Sequence, residues 1–232
     1  GDISITGTSS GDDGVESSGG AVVSATGTAS VTFDGTATSN NDGANGVVLD
    51  GTATMVTAAD GSISITGETS SFNAGVQPEA GVFVQGATVE TTGTTAGTGL
   101  IEVFGTGGSA GIEMEDGTFR TVAGNIEWTG DSTDNVGILM REDTGSSLLQ
   151  TTGTGANAGD IILTGTSTAT GMVVGISRNG RSLIQGTITT VDGDVELVGN
   201  AVDGGGVSGG ADISVTGAGM VTVTGTATGM NS

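Results

Sequence analysis

Carboxylates are the side chains here with the numbers and spacing to do chemistry. Glu102 and Glu127 occupy the same place in two copies of a short alternating segment, and Asp194 and Glu196 fall in a third. Two carboxylates facing one another can serve as general acid and base or flank a glycosidic bond. They can equally offer oxygen ligands to Ca2+, which accepts flexible geometry. Both chemistries want company that the sequence withholds. Lys and His are absent, and Arg178 and Arg181 sit together in a turn segment rather than beside those carboxylates. The glycine-rich calcium-loading nonapeptide is missing, and Asp12-Asp13-Gly14 or Glu113, Glu115 and Asp116 are too short to specify a site. We therefore expect no enzyme and no cofactor. Glu102, Glu127, Asp194 and Glu196 are the set that could hold Ca2+; otherwise they form a solvated acidic surface that keeps molecules apart.

Composition removes further classes. Without Cys or His there is no thiol or imidazole catalysis, no disulfide and no zinc site of the usual kind. A net charge of −22 leaves no basic face for nucleic acid. No run of residues approaches the length of a membrane-spanning helix. The 47 glycines and the charge suggest disorder, but 34% hydrophobic residues and a mean hydropathy of +0.14 argue against it. Those apolar residues are mostly Val and Ile in short alternating runs between glycines, the pattern of strands and turns.

The elements that position these side chains repeat. A frame Gly/Ser-x-apolar-x-apolar-x-Gly recurs eight times, starting near residues 1, 29, 61, 99, 124, 159, 193 and 219, a period of about 31 residues. Examples are Gly1-Asp2-Ile3-Ser4-Ile5-Thr6-Gly7 and Gly61-Ser62-Ile63-Ser64-Ile65-Thr66-Gly67. Each period holds two further strand signals. One begins Gly-Val or Gly-Ile, from Gly14-Val15 through Gly175-Ile176 to Gly206-Val207; the other includes Val22/Val23, Met55/Val56, Phe119, Leu183/Ile184 and Ile213/Val215. Three strands per period cannot bury an apolar face alone, so the periods must stack. The spacing predicts an all-β fold: one parallel β-solenoid over residues 1–232, with about eight rungs of three short strands and a length of roughly 38 Å at ~4.8 Å per rung. Right-handed winding is the usual hand of parallel crossovers. The glycine closing each frame is expected to turn a corner, through positive φ or close backbone approach.

Alternation assigns faces. Ile3/Ile5, Val31/Phe33, Ile126/Trp128 and Val221/Val223, with their counterparts, point inward, which makes Trp128 core filler rather than a sugar platform. Phe104 has outward parity, and with Phe72 and Phe83 is a candidate for lateral contact or carbohydrate stacking. Thr-x-Thr pairs such as Thr6/Thr8 and Thr224/Thr226 suggest an ice-binding array, but three of eight rungs keep both threonines, and β-propensity accounts for them. Neither end of the sequence reads as a cap. Open rungs are therefore expected, with Ile3 and Ile5 at one end and Val221 and Val223 at the other. The chain is then either a segment of a longer solenoid or a subunit that stacks head to tail.

The frame Gly-Asp-Ile-x-Ile-Thr-Gly-Thr, the Gly-Val segments and runs such as Val89-Glu90-Thr91-Thr92-Gly93 resemble the repeats of filamentous-haemagglutinin-like proteins, giant bacterial surface adhesins. The likeness covers essentially the whole chain. It implies right-handed β-helices folded outside the cell, surface adhesion or matrix building, and no catalytic residues; the family's amino-terminal secretion domain is not recognisable. Taken together, the expected function is an extracellular or bacterial cell-surface shaft, structural or adhesive, joined to copies of itself or continued in a longer chain. Extracellular polysaccharide or another cell surface would be its partner. The alternative is a carbohydrate- or ice-binding module on an outer face, and the third reading is a polysaccharide-processing enzyme.

Overall fold

Val, Ile and Thr in period-2 alternation favour extended backbone, and one face of each run is apolar enough to need burial. The computed structural model describes residues 1–38, 43–70, 79–168, 185–202 and 206–228, and there the expected solenoid forms. The first sheet has eight seven-residue strands: β1 (Ile3–Ser9), β4 (Val31–Ala37), β7 (Ile63–Thr69), β10 (Ile101–Gly107), β13 (Ile126–Ser132), β16 (Ile161–Ser167), β18 (Val195–Ala201) and β20 (Val221–Ala227). The second contains β2 (Val15–Ser17), β5 (Val47–Asp50), β8 (Ala80–Gln85), β11 (Ala110–Glu115) and β14 (Val136–Arg141). The third contains β3 (Val22–Ala25), β6 (Met55–Ala58), β9 (Thr88–Thr91), β12 (Thr118–Thr121), β15 (Leu148–Thr151), β17 (Thr187–Thr190) and β19 (Asp212–Val215). Every strand pairs in parallel with its counterparts in the adjacent turns, the outermost strand at each end of a sheet having one such partner. This is a parallel β-helix of about eight rungs.

The inward columns stand as the alternation predicts. In the first sheet Val31, Ile63, Ile101, Ile126, Ile161 and Val195 stack in register and are fully buried. Phe33, Ile65, Val103, Trp128, Leu163 and Leu197 form the second column. Trp128 meets Phe119 of the third sheet edge to face, centroids 4.8 Å apart, which confirms its place in the core.

Three expectations need correction. The frame glycines do not turn corners: Gly7, Gly35, Gly67, Gly105, Gly130, Gly165, Gly199 and Gly225 lie inside the strands of the first sheet, and none has positive φ. Their requirement is close approach. A Cβ on Gly35, Gly67, Gly105 or Gly130 would overlap the carbonyl oxygen of Gly46, Gly81, Gly111 or Gly137, respectively, so two glycine columns form a seam between the first and second sheets. Secondly, the third-sheet strand expected around Leu183/Ile184, outside the described residues, lies instead at Thr187–Thr190, where Ile188 stacks on Leu149. Thirdly, Gly206-Val207 forms no strand. Gly175-Ile176 falls outside the described residues.

Polar columns lock the corners. Buried Thr69, Ser132 and Ser167 donate from their hydroxyls to the carbonyls of Ala44, Gly108 and Asn135 at 3.0, 2.6 and 2.7 Å. At the end of the third sheet Thr91, Thr151 and Thr190 donate to Gly99, Gly159 and Gly193 at 2.7, 2.7 and 2.6 Å. These bonds give partners to carbonyls that the sheets leave free at the bends.

Candidate functional site

The predicted carboxylates come together only in part. Glu102 and Glu127 are direct neighbours across β10 and β13, outward and half-buried, and Glu127 accepts a hydrogen bond from Asn125 Nδ2 at 2.9 Å. The next place in that column is Ile162, which separates them from Glu196. Asp194 is occupied otherwise. Its Oδ1 accepts the amide of Met220 at 2.7 Å, while its own amide donates to Asp160 Oδ1 at 2.8 Å. Asp160 in turn donates its amide to Asn125 Oδ1, and Ser30 its amide to Asp2 Oδ1, both at 2.9 Å. Ser30 Oγ accepts the amide of Ser62 at 3.2 Å. This ladder clamps strand entries of the first sheet to the rung after them, except around Leu100, whose side chain has no acceptor. Among the described residues no group of three or more acidic side chains is placed to hold a metal ion.

The aromatic candidates divide. Phe104 is 40% exposed on the outer face of the first sheet, as its parity predicts. Phe72 lies outside the described residues. Phe83, expected at the surface, is half-buried on the outer face of the second sheet, in the column Glu16, Val48, Phe83, Glu113, Leu139.

That second outer face is where the unexpected site lies. Outward side chains of the first sheet are all exposed or half-buried. On the second sheet Val48, Glu113, Glu115 and Leu139 point outward and are nevertheless buried. Arg141 on β14 joins the two acids of β11: Nη2 donates to Glu113 Oε1 at 2.9 Å and to Glu115 Oε2 at 2.6 Å, and its Nε is buried without an acceptor. Burial pushes the Glu115 carboxyl above its ordinary value, and the neighbouring guanidinium only partly opposes this. Asp13, in the first rung, is also raised by burial despite hydrogen bonds from the Asn45 amide and Nδ2 at 2.7 and 3.1 Å.

A groove of about 350 Å³ runs along the rod axis over this face, from Asp13 and Glu16 past Val48 and Phe83 to Glu115 and Arg141. A shallower depression of about 240 Å³ on the first sheet, over Thr6, Thr8, Asp34 and Thr36, has no large apolar side chain in its floor. Sequence reasoning missed the Arg141 triad because the partners lie 26 and 28 positions apart and meet only through register. Position was the available signal: Glu113, Glu115 and Arg141 each have outward parity after a Gly-Ile start. The other described arginine, Arg120, pairs with Glu90 across β12 and β9 at the surface.

No family model, curated protein or solved structure matches this chain. Among the described residues no helix is long and apolar enough to cross a membrane.

Proposed function

We propose that the protein is a structural and adhesive shaft acting outside the cell, on a bacterial surface, and that its solenoid continues head to tail into further rungs. The observation that carries this is the state of the outermost rungs. Among the described residues β1 pairs only with β4 and β20 only with β18. Val221 and Val223 stand in register with the buried Val195 and Leu197, yet are 47% and 54% exposed. Ile3 and Ile5 are half-covered at the opposite end. An unpaired edge carrying inward-type side chains is a template for another strand of the same kind, and repeated head-to-tail contacts that do not close build filaments. The charge of −22 disfavours lateral association of such rods without blocking their ends.

Sedimentation of the purified chain over a range of concentrations tests the proposal. The weight-average mass should rise with concentration, and Val223→Lys should hold it at the single-chain value. A wild-type mass that stays constant, or a rise that Val223→Lys leaves intact, would contradict it.

A further inference from the structure

We infer that the axial groove over the second sheet is a binding site for a linear oligosaccharide of neutral or amino sugars. The groove draws its lining from five successive rungs, Asp13 in the first to Arg141 in the fifth, so it extends about 19 Å at ~4.8 Å per rung. An extended pyranose chain advances by a similar step per unit and suits a floor repeated at that interval. The floor is apolar at its centre, where Val48 and Phe83 stack in register. A half-buried aromatic presents a face against which the C–H side of a sugar ring packs. The wall is polar: Asp50, Gln85, Glu115 and Arg141 follow one another in a single outward column and offer both acceptors and donors to hydroxyl groups.

The wall is also held in place. Glu115 is nine-tenths buried and fixed by Arg141, which Glu113 grips from beneath. A positioned wall loses little side-chain freedom when a ligand arrives. Charge decides between ligand classes. Asp13, Glu16, Asp50 and Glu115 line the groove against one guanidinium already shared by two carboxylates, so uronic or sulfated sugars are repelled and an ammonium on the sugar is favoured. A peptide is the poorer fit: peptides add to sheet edges or fill separate apolar pockets, whereas this groove lies on the face of a sheet with one aromatic at its centre.

Isothermal titration with a glucosamine tetramer and a galacturonic acid tetramer, at low salt near pH 6, tests the inference. The glucosamine tetramer should bind and the galacturonic acid tetramer should not. Phe83→Ala and Phe83→Leu should each weaken binding about tenfold with the circular dichroism spectrum unchanged. Phe104→Ala, on the other outer face, should leave it alone. Absence of binding by the glucosamine tetramer, equal binding of the acidic tetramer, or full affinity in Phe83→Leu would overturn it. Spermine provides the remaining arm: if it binds as tightly as the amino sugar and its affinity survives Phe83→Ala, the groove merely collects cations and the inference fails.

Discussion

The outer faces of the first and second sheets are built from the same rungs, in the same register, and have opposite characters. On the first, Thr6 and Thr66 stand exposed on either side of Asp34, and Thr129 and Thr164 stand half-buried beside each other. On the second, Glu113, Glu115 and Arg141 are drawn into one buried network alongside Phe83 and Val48. The difference teaches that the ladder is indifferent to what its outward positions carry. What makes side chains interdependent is burial: in water Thr66 or Thr129 loses little by losing a neighbour, whereas a carboxylate removed from water needs its partner.

The largest effect should come from the seam joining the two faces. Gly67→Ala drives a Cβ into the carbonyl of Gly81 and should cost about 4 kcal/mol in urea unfolding, enough to endanger folding. At Gly165 the nearest atom is 3.3 Å away, and Gly165→Ala should cost less than about 1 kcal/mol. Equal costs at the two sites would remove close packing as the reason for the glycine columns.

Next come the two arginine sites. Arg141→Met leaves Glu113 and Glu115 without their cation and should cost about 2 kcal/mol, reduced from the fully buried case because Arg141 is about one-third exposed. Arg120→Met breaks the surface pair with Glu90 and should cost under about 0.5 kcal/mol. If the order were reversed, the contrast between the faces would be wrong.

The frame, the eight strands of the first sheet and both inward columns were legible because period-2 alternation repeats with every turn. The glycines were visible too, but their role was not: Gly35 and Gly46 acquire it only when two backbones come together in space. The Asp2, Ser30, Asn125, Asp160 and Asp194 positions use three residue types scattered over most of the chain, so no motif announces the clamp. Phe83 had outward parity, as Phe104 has, and parity alone cannot tell an exposed face from a covered one. The third-sheet strand was placed at Leu183/Ile184 because the aliphatic pair outweighed Thr187–Thr190, whose single Ile188 holds the core position.

A smaller effect concerns pH. Burial holds Asp13 and Glu115 above their ordinary values of 3.8 and 4.5, so the folded chain keeps protons that the unfolded chain releases. Their contribution to stability is present at low pH and lost as pH rises through the folded-state values. Asp116 and Asp192 have the opposite sign. The slight burial of Asp116 is outweighed by the amides of Thr144, Asp143 and Gly145; Asp192 is lowered by the amides of Gly155 and Ala218. Their contribution is present above 3.8 and lost as pH falls below it. The melting temperature should therefore fall as pH drops below about 4, where Asp116 and Asp192 take up protons, and Asp13→Asn should steepen that fall by removing a group of opposite sign. A fall no steeper in Asp13→Asn than in the wild type would contradict the burial of Asp13.

The central claim is that the rungs continue from one molecule into the next, and negative-stain microscopy of the purified chain addresses it most directly. Rod lengths should fall at multiples of about 38 Å, the span of eight rungs, and shift to higher multiples as concentration rises, with the width unchanged. Rods of a single length at every concentration would contradict the account.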